Sequence, residues 1–399
     1  MEQINSTPPS STVDFANTQI AFANKTNSQL RKAQWLFSLM NNATLVKIGS
    51  QLGMIAVKWH LPVQWLIKKT IFEQFCGGTT LAECQQTADN LAKYQVLTIL
   101  DYGVEAKETD EDFDNTLSET LKALQFAAKN RNTVPVVSCK LTGLARFSLL
   151  EKFQTQQPLN THETTEWQTL IQRLDAICSF AAKNQVAVFI DAEESWIQNS
   201  IDHLTDLMME KYNHNRVAVY NTFQMYRHDR LQFLQQSYQR AQQKGYMLGA
   251  KLVRGAYMEK ERKRANELQY QSPIQPSKEA TDNDYNKAIL FCIDRYQQIA
   301  FCNASHNQYS AQYMTQLIDE RKLQRNHPHL NFCQLFGMSD HLSFNLAKAG
   351  FTVAKYLPYG PVKDVMPYLI RRAQENTSVT GDMSREYTLI KKEATRRNI

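Results

Sequence analysis

The sequence predicts an α/β protein of the distorted (βα)8, TIM-type barrel class, preceded by a helical extension. Three observations carry that expectation. Eight short runs rich in Val, Ile, Leu and Phe recur from about residue 94 onward, longer stretches of helical period separate them, and no Gly-rich phosphate turn follows the first run.

Taken in order, residues 1–93 read as a helical extension packing on the barrel, beginning near Phe15 and continuing through 32–40. Within it, 44–75 mixes Leu, Ile, Val and Trp with Lys47, Lys58, Lys68 and Lys69, the pattern of a helix packed on the rest of the chain or laid on a bilayer. The strand candidates are 96–100, 134–140, 187–191, 217–222, 247–254, 299–304, 330–336 and 352–357. Amphipathic stretches lie between them, among them 167–184, 230–244, 284–298 and 311–322. Asp282 and Asp340 suit helix N-caps, and Gly245 and Gly350 suit helix stops. Strands that are apolar on both faces and alternate with helices form a parallel sheet, and at eight strands the natural closure is a barrel. An open doubly wound sheet is the alternative, but Asp101-Tyr102-Gly103-Val104-Glu105 is not a GxGxxG turn. The expected organisation is therefore extension 1–93, barrel 94–385 and a basic tail 386–399.

Composition excludes several classes. The chain has 399 residues, 43% of them hydrophobic, which is too apolar for a disordered protein. A net charge of +6, from 45 Lys+Arg against 39 Asp+Glu, is too mild to mark a nucleic-acid binder. Basic stretches at 260–264 and 391–397 are interleaved with Glu259, Glu261, Glu267 and Glu393, as on a solvated helix face. The seven cysteines are scattered without a CxxC, so neither a disulfide framework nor a structural zinc site is expected, and a reducing compartment fits. The N-terminus lacks the signature of a secretory or mitochondrial leader, and no run of eighteen uncharged apolar residues occurs. The 13 glycines are few; Gly103, Gly143, Gly255, Gly337 and Gly360 follow strand candidates, while Gly245, Gly249 and Gly350 mark turns into strands.

The strand ends carry the candidate chemistry. In order they present Asp101 and Glu105, Lys140, Asp191-Ala192-Glu193-Glu194, Gln224, Arg254-Gly255-Ala256-Tyr257, Ser305-His306-Asn307, and Tyr356 followed by Arg371 and Arg372. A barrel places its working groups on the loops after its strands, so this recurrence points to a site there. Lys140, Arg371 and Arg372 are expected to converge on an anion, and paired guanidinium forks suit a planar carboxylate. Glu375, four residues on, can orient Arg371. No HxH or HExxH is present, so no metal is expected and His306 reads as a hydrogen-bonding or stacking residue. Without a Walker loop or nucleophile elbow, these features describe a barrel enzyme for a small carboxylate with an organic cofactor.

Two longer motifs go further. Lys251-Leu252-Val253-Arg254-Gly255-Ala256-Tyr257 resembles the fifth-strand signature of proline dehydrogenases, and Tyr356-Leu357-Pro358-Tyr359-Gly360 with Tyr368-Leu369-Ile370-Arg371-Arg372-Ala373-Gln374-Glu375-Asn376 resembles their C-terminal signature. Further matches at Lys140, Asp191-Ala192-Glu193, Gln224, His306-Asn307 and Gln334-Leu335-Phe336-Gly337-Met338 extend the resemblance over about 94–380. It is closest to the single-function, mitochondrial-type branch, without the aldehyde dehydrogenase module of bacterial fusions. The resemblance implies oxidation of L-proline to 1-pyrroline-5-carboxylate, with FAD taking a hydride and a membrane quinone receiving the electrons. It implies that Arg371, Arg372 and Lys140 hold the proline carboxylate, that Tyr356 and Leu252 pack on the ring, and that Tyr257 closes the pocket. Asp191 matches the family's active-site aspartate, and Glu105 a glutamate that gates the site. Ala192, Gln224, Val253, Arg254, Gly255, Ser305 and His306 match FAD contacts. Lys251 stands where many bacterial members have Arg beside flavin N5, keeping the charge but losing the fork. Tyr356 stands where hydroxyproline-oxidising relatives tend to have a smaller residue, which favours proline over hydroxyproline; a reduced folate fits the Arg-Arg pair less well. No nucleic-acid partner is expected. Location in the cytoplasm, peripheral at the inner face of the plasma membrane, would bring the chain to its quinone.

Overall fold

The computed structural model describes residues 13–40, 42, 44, 46–47, 49, 64–103, 107–378 and 382–399. Its centre is a closed barrel in which eight parallel strands follow one another in sequence order. They are β1 (Leu97–Tyr102), β2 (Val136–Cys139), β3 (Ala187–Ile190), β4 (Val219–Gln224), β5 (Leu248–Val253), β6 (Ile299–Ala304), β7 (Leu330–Leu335) and β8 (Thr352–Tyr359). Closure runs through β1 and β8, paired in register from Leu97↔Ala354 to Tyr102↔Tyr359. Every strand expected from the sequence is present, β6 with the expected bounds and the others shifted by at most two residues at either end.

Strand alternation divides the side chains into two layers. Ile99, Phe189, Tyr220, Cys302, Cys333 and Tyr356 belong to a cluster inside the barrel. Leu100, Val188, Phe223, Leu252, Phe301 and Leu357 belong to the larger layer between barrel and helices. Gly249 lies within β5 rather than in the turn before it. A Cβ there would sit 2.2 Å from the Val219 carbonyl oxygen, so the β4–β5 contact requires glycine.

Helix ends differ from expectation at two aspartates. The helix Lys278–Ile293 starts before Asp282, at the N-cap Ser277, whose side chain accepts the Ala280 N–H. Asp340 is the first residue of helix Asp340–Lys348, and Ser339, with φ of +50°, precedes it. Gly245 does end the helix Arg230–Lys244 in the left-handed conformation, at φ +73°.

The terminal segments pack on each other. The helix Asp382–Arg396 spans the expected boundary at 385/386, so most of 386–399 is helical. It is clamped to the N-terminal segment: Arg397 donates to the Phe22 and Lys25 carbonyls at 2.8 and 2.7 Å, and buried Glu393 holds both Arg396 and Arg397. Gly337 (φ +76°) marks another close approach, since a Cβ there would lie 1.9 Å from the Gln74 carbonyl oxygen. Half of the stretch 44–75, whose pattern also suits a bilayer surface, lies outside the described residues. Among the described residues no helix is long and apolar enough to cross a membrane.

Candidate active site

Residues with inward parity near the carboxyl ends of β1, β2, β3, β5 and β8 form one buried polar cluster. Asp191, just past β3, is its hub. Lys251 Nζ of β5 donates to its Oδ1. Lys140 Nζ, just past β2, lies 3.3 Å from its Oδ2, and the Tyr356 hydroxyl of β8 donates to the same oxygen at 2.5 Å. The Tyr356 hydroxyl also shares a 2.5 Å hydrogen bond with Ser138 Oγ of β2. Asp101 of β1 completes the cluster, 3.4 Å from Lys140 Nζ. Lys251 further lies over the Phe189 and Tyr356 rings, 5.4 and 5.2 Å from their centroids.

Two lysines against two aspartates balance in charge, and the electrostatics separate the aspartates. Burial raises both carboxyls. For Asp191 the Lys251 and Lys140 ammoniums overcome it and hold the group well below the ordinary range, so it is ionised. For Asp101 burial prevails over Lys140, with Asp191 adding repulsion, and its value is raised. Burial first, then the two aspartates, push Tyr356 well above an ordinary phenol, so it remains a hydrogen-bond donor.

The neighbouring loops are braced by a second buried carboxylate. Glu193 accepts from the Thr142 N–H at 3.1 Å and the Thr142 hydroxyl at 2.5 Å, tying the loop after β3 to the turn after Lys140. Burial, assisted by Glu194, raises Glu193 to about 7. Gln224 of β4 is buried and donates to the Glu193 carbonyl at 2.6 Å and to the Tyr226 hydroxyl at 2.9 Å.

At the ends of β5 and β6, Arg254 is ion-paired with Asp282, donates to Ser310 Oγ at 2.7 Å and stacks on Tyr285. Gly255 follows with φ +88° and open space where a Cβ would stand. Val253 is half-buried, and Tyr257 precedes the helix Met258–Leu268. Ser305 is buried, and the imidazole of His306 Nδ1 lies 2.9 Å from Ser339 Oγ. Burial, followed by the charges of Lys355, Arg372 and His341, lowers His306 to about 3, so the ring is neutral. Arg372, on the helix Val362–Ser378, is buried with its guanidinium 5.1 Å from the Tyr368 centroid, and Arg371 beside it is half-buried. Ala192 is buried immediately after Asp191.

One expected member is elsewhere. Leu252, expected to pack on the substrate ring, faces the outer layer, on the opposite side of β5 from Lys251 and in register with Phe223. Glu105 and the Glu375 side chain lie outside the described residues. Ser138 and Phe189 were missed, although each stands two residues before a charged strand-end residue and therefore shares its face. Among the described residues no three His, Cys, Asp or Glu side chains are grouped to hold a metal ion.

A closed eight-stranded parallel barrel with buried charges gathered where its strands end has the build of a barrel enzyme. Comparison with known proteins specifies which kind: the proline dehydrogenase family profile matches residues 84–385, and this chain belongs to that family. It is 34% identical over 402 residues to proline dehydrogenase 1, mitochondrial, of Dictyostelium discoideum, covering 90% of this chain and 69% of that protein. It is 29% identical to the hydroxyproline dehydrogenase of Xenopus laevis, covering 94% and 88%. Among solved structures, proline utilization A (PutA) from Bdellovibrio bacteriovorus inactivated by N-propargylglycine superposes with a TM-score of 0.70 at 18% identity. That alignment covers 91% of this chain and 38% of that one, and it bears on the fold alone.

Proposed function

We propose that this chain oxidises L-proline to 1-pyrroline-5-carboxylate, with FAD as bound cofactor and a membrane quinone as final acceptor. The observation that carries the proposal is the buried Asp191–Lys251–Lys140–Tyr356 cluster at the barrel mouth, in a chain of this family. Bound FAD would supply the hydride acceptor. The side chains around the mouth suit it: Arg254 offers a guanidinium for phosphate, Ser305, His306 and Gln224 offer polar contacts, Gly255 leaves room beside the backbone, and Ala192 lines the site.

The remaining chemistry falls to the protein. Arg371, Arg372 and Lys140 bind the substrate carboxylate as a planar anion. Tyr356 limits the space for the ring while Asp191 fixes its hydroxyl. Tyr257 closes the pocket and Glu105 gates it. Asp191 pairs with Lys251 and aims it, so that a fixed positive charge faces the region where negative charge develops during hydride transfer. Burial of the cluster excludes water, as that transfer requires. The barrel 94–385 carries all of these groups, with 1–93 as the extension packed on it, and delivery of electrons to a quinone calls for peripheral membrane contact. Tyr356 favours proline over 4-hydroxyproline because a ring hydroxyl needs space the phenol occupies. Steady-state dye reduction by the two substrates tests this: kcat/KM should be higher for L-proline, and a preference for trans-4-hydroxyproline would reject the substrate assignment.

A further inference from the structure

The C-terminal helix sends one buried carboxylate toward the site. Glu386, 3% exposed, accepts the Ser339 N–H at 3.0 Å, and Ser339 Oγ in turn lies 2.9 Å from His306 Nδ1. Ser339 is held at φ +50°, a left-handed conformation that is strained for a non-glycine residue. The bond from Glu386 stabilises it there. The same turn also supports Ser305: Ser343 Oγ donates to Gln334 Oε1 at 2.8 Å, and Gln334 Nε2 donates to the Ser305 carbonyl at 3.2 Å. Both polar residues at the end of β6 thus rest on the turn 339–343, which Glu386 pins from outside.

Docking of the C-terminal helix has other anchors. Glu393, Arg396 and Arg397 fasten it to the N-terminal segment, and Lys392 reaches the Ala16 carbonyl at 3.2 Å. Other titratable groups face Ser339 as well: Lys355 pairs with Asp340 at 2.8 Å, Lys25 approaches Asp340 at 3.3 Å, and His341 Nδ1 lies 3.6 Å from Glu386. A neutral His306 in that setting takes its orientation from hydrogen bonds, and the bond to Ser339 is the one its Nδ1 makes.

We propose that Glu386 is a positioning residue for the cofactor side of the site, acting through Ser339 to fix the His306 imidazole. The role of His306 as a flavin contact rests on the function proposed above; the Glu386–Ser339–His306 chain itself does not.

The test uses the full-length, flavin-loaded protein with Ser339→Ala, Glu386→Met (similar volume, no oxygens), Glu386→Gln (one acceptor retained) and the double variant Ser339→Ala/Glu386→Met. Arg397→Ala, which loosens the terminal clamp only, is the control. Two quantities are read: the FAD dissociation constant, and the Nδ1 resonance of His306 in 15N-histidine-labelled protein with and without flavin. Ser339→Ala and Glu386→Met should each weaken FAD binding roughly three- to tenfold, the span of one lost hydrogen bond, and each should move the Nδ1 resonance. The double variant should weaken it no further than the larger single effect. Glu386→Gln should restore most of the affinity, and Arg397→Ala should lower Tm while leaving both readouts in place. An unmoved Nδ1 resonance in Glu386→Met, fully additive losses, or an equal shift in Arg397→Ala would overturn the proposal. A protein that binds no FAD would reject the proposed function instead, and the Nδ1 resonance would still decide the positioning role.

Discussion

Replacing Asp191 with Asn removes the one charge around which the barrel-mouth cluster is organised. Among the described residues Asp191 is the only carboxylate paired with Lys251, and Lys140 keeps Asp101 at 3.4 Å. The Lys140–Asp191 separation of 3.3 Å corresponds to a gross attraction of about 5 kcal/mol at an effective dielectric of about 20. Desolvation offsets much of that, but losing one partner strands a buried ammonium, and such changes cost about 3–5 kcal/mol. At about 2.1 cal/mol/K of unfolding entropy per residue, 399 residues give about 0.8 kcal/mol/K, so Tm should fall by roughly 4–6 °C. The pH dependence supplies the sign. The folded value of Asp191 lies below its unfolded value, so its contribution is present above about pH 4 and is lost as pH falls toward the folded value. Thermal denaturation of both proteins from pH 7 to pH 3 should therefore show a gap that narrows on acidification. A variant within about 1 °C of wild type at pH 7, or a gap that widens in acid, would refute the electrostatic account of the cluster.

Three further outcomes follow from the same geometry. Arg372→Ala should retain FAD yet lose about 2–5 kcal/mol in kcat/KM for proline; unchanged kinetics would reject it as a carboxylate ligand. Tyr356→Ser should raise the kcat/KM ratio of trans-4-hydroxyproline to proline and, by stripping hydrogen bonds from Asp191 and Ser138, destabilise the fold by about 1–3 kcal/mol in urea titration. Glu193 is raised to about 7, so its favourable contribution is full below the unfolded value near 4.5 and lost as pH rises through 7. Glu193→Gln should accordingly be more stable relative to wild type at pH 8 than at pH 5, by up to about 3 kcal/mol, and equal differences at the two pH values would contradict the raised value.

Periodicity made the barrel readable in advance, because a strand buried on both faces needs an apolar run and the helix after it needs a 3.6-residue stripe. Lys140 and Asp191 could likewise be anticipated, since polar residues ending apolar strands of a barrel gather at its mouth, whereas Lys251, inside its strand, was marked by the family resemblance. Resemblance alone placed Leu252 in the pocket; the two-residue period of β5 puts it on the other face from Lys251. How these side chains pair was harder to see. Tyr356 meets Asp191 across 165 positions of sequence, and only closure of the barrel brings β8 beside β1. Lys355, which no motif marked, is wholly buried against Asp340, and Glu386 reads as part of a tail yet reaches Ser339. Such pairings depend on how distant helices dock, which local pattern does not record. Ser277 and Ser339, rather than Asp282 and Asp340, precede these helices, and the two aspartates instead form ion pairs, Asp282 with Arg254 and Asp340 with Lys355.

The central claim is that the charged barrel mouth holds a flavin which L-proline reduces. Adding L-proline to the purified full-length protein without oxygen tests it in one step. A yellow solution that bleaches as 1-pyrroline-5-carboxylate forms is the predicted result. A colourless protein, or a yellow one that keeps its colour with proline present, would contradict it.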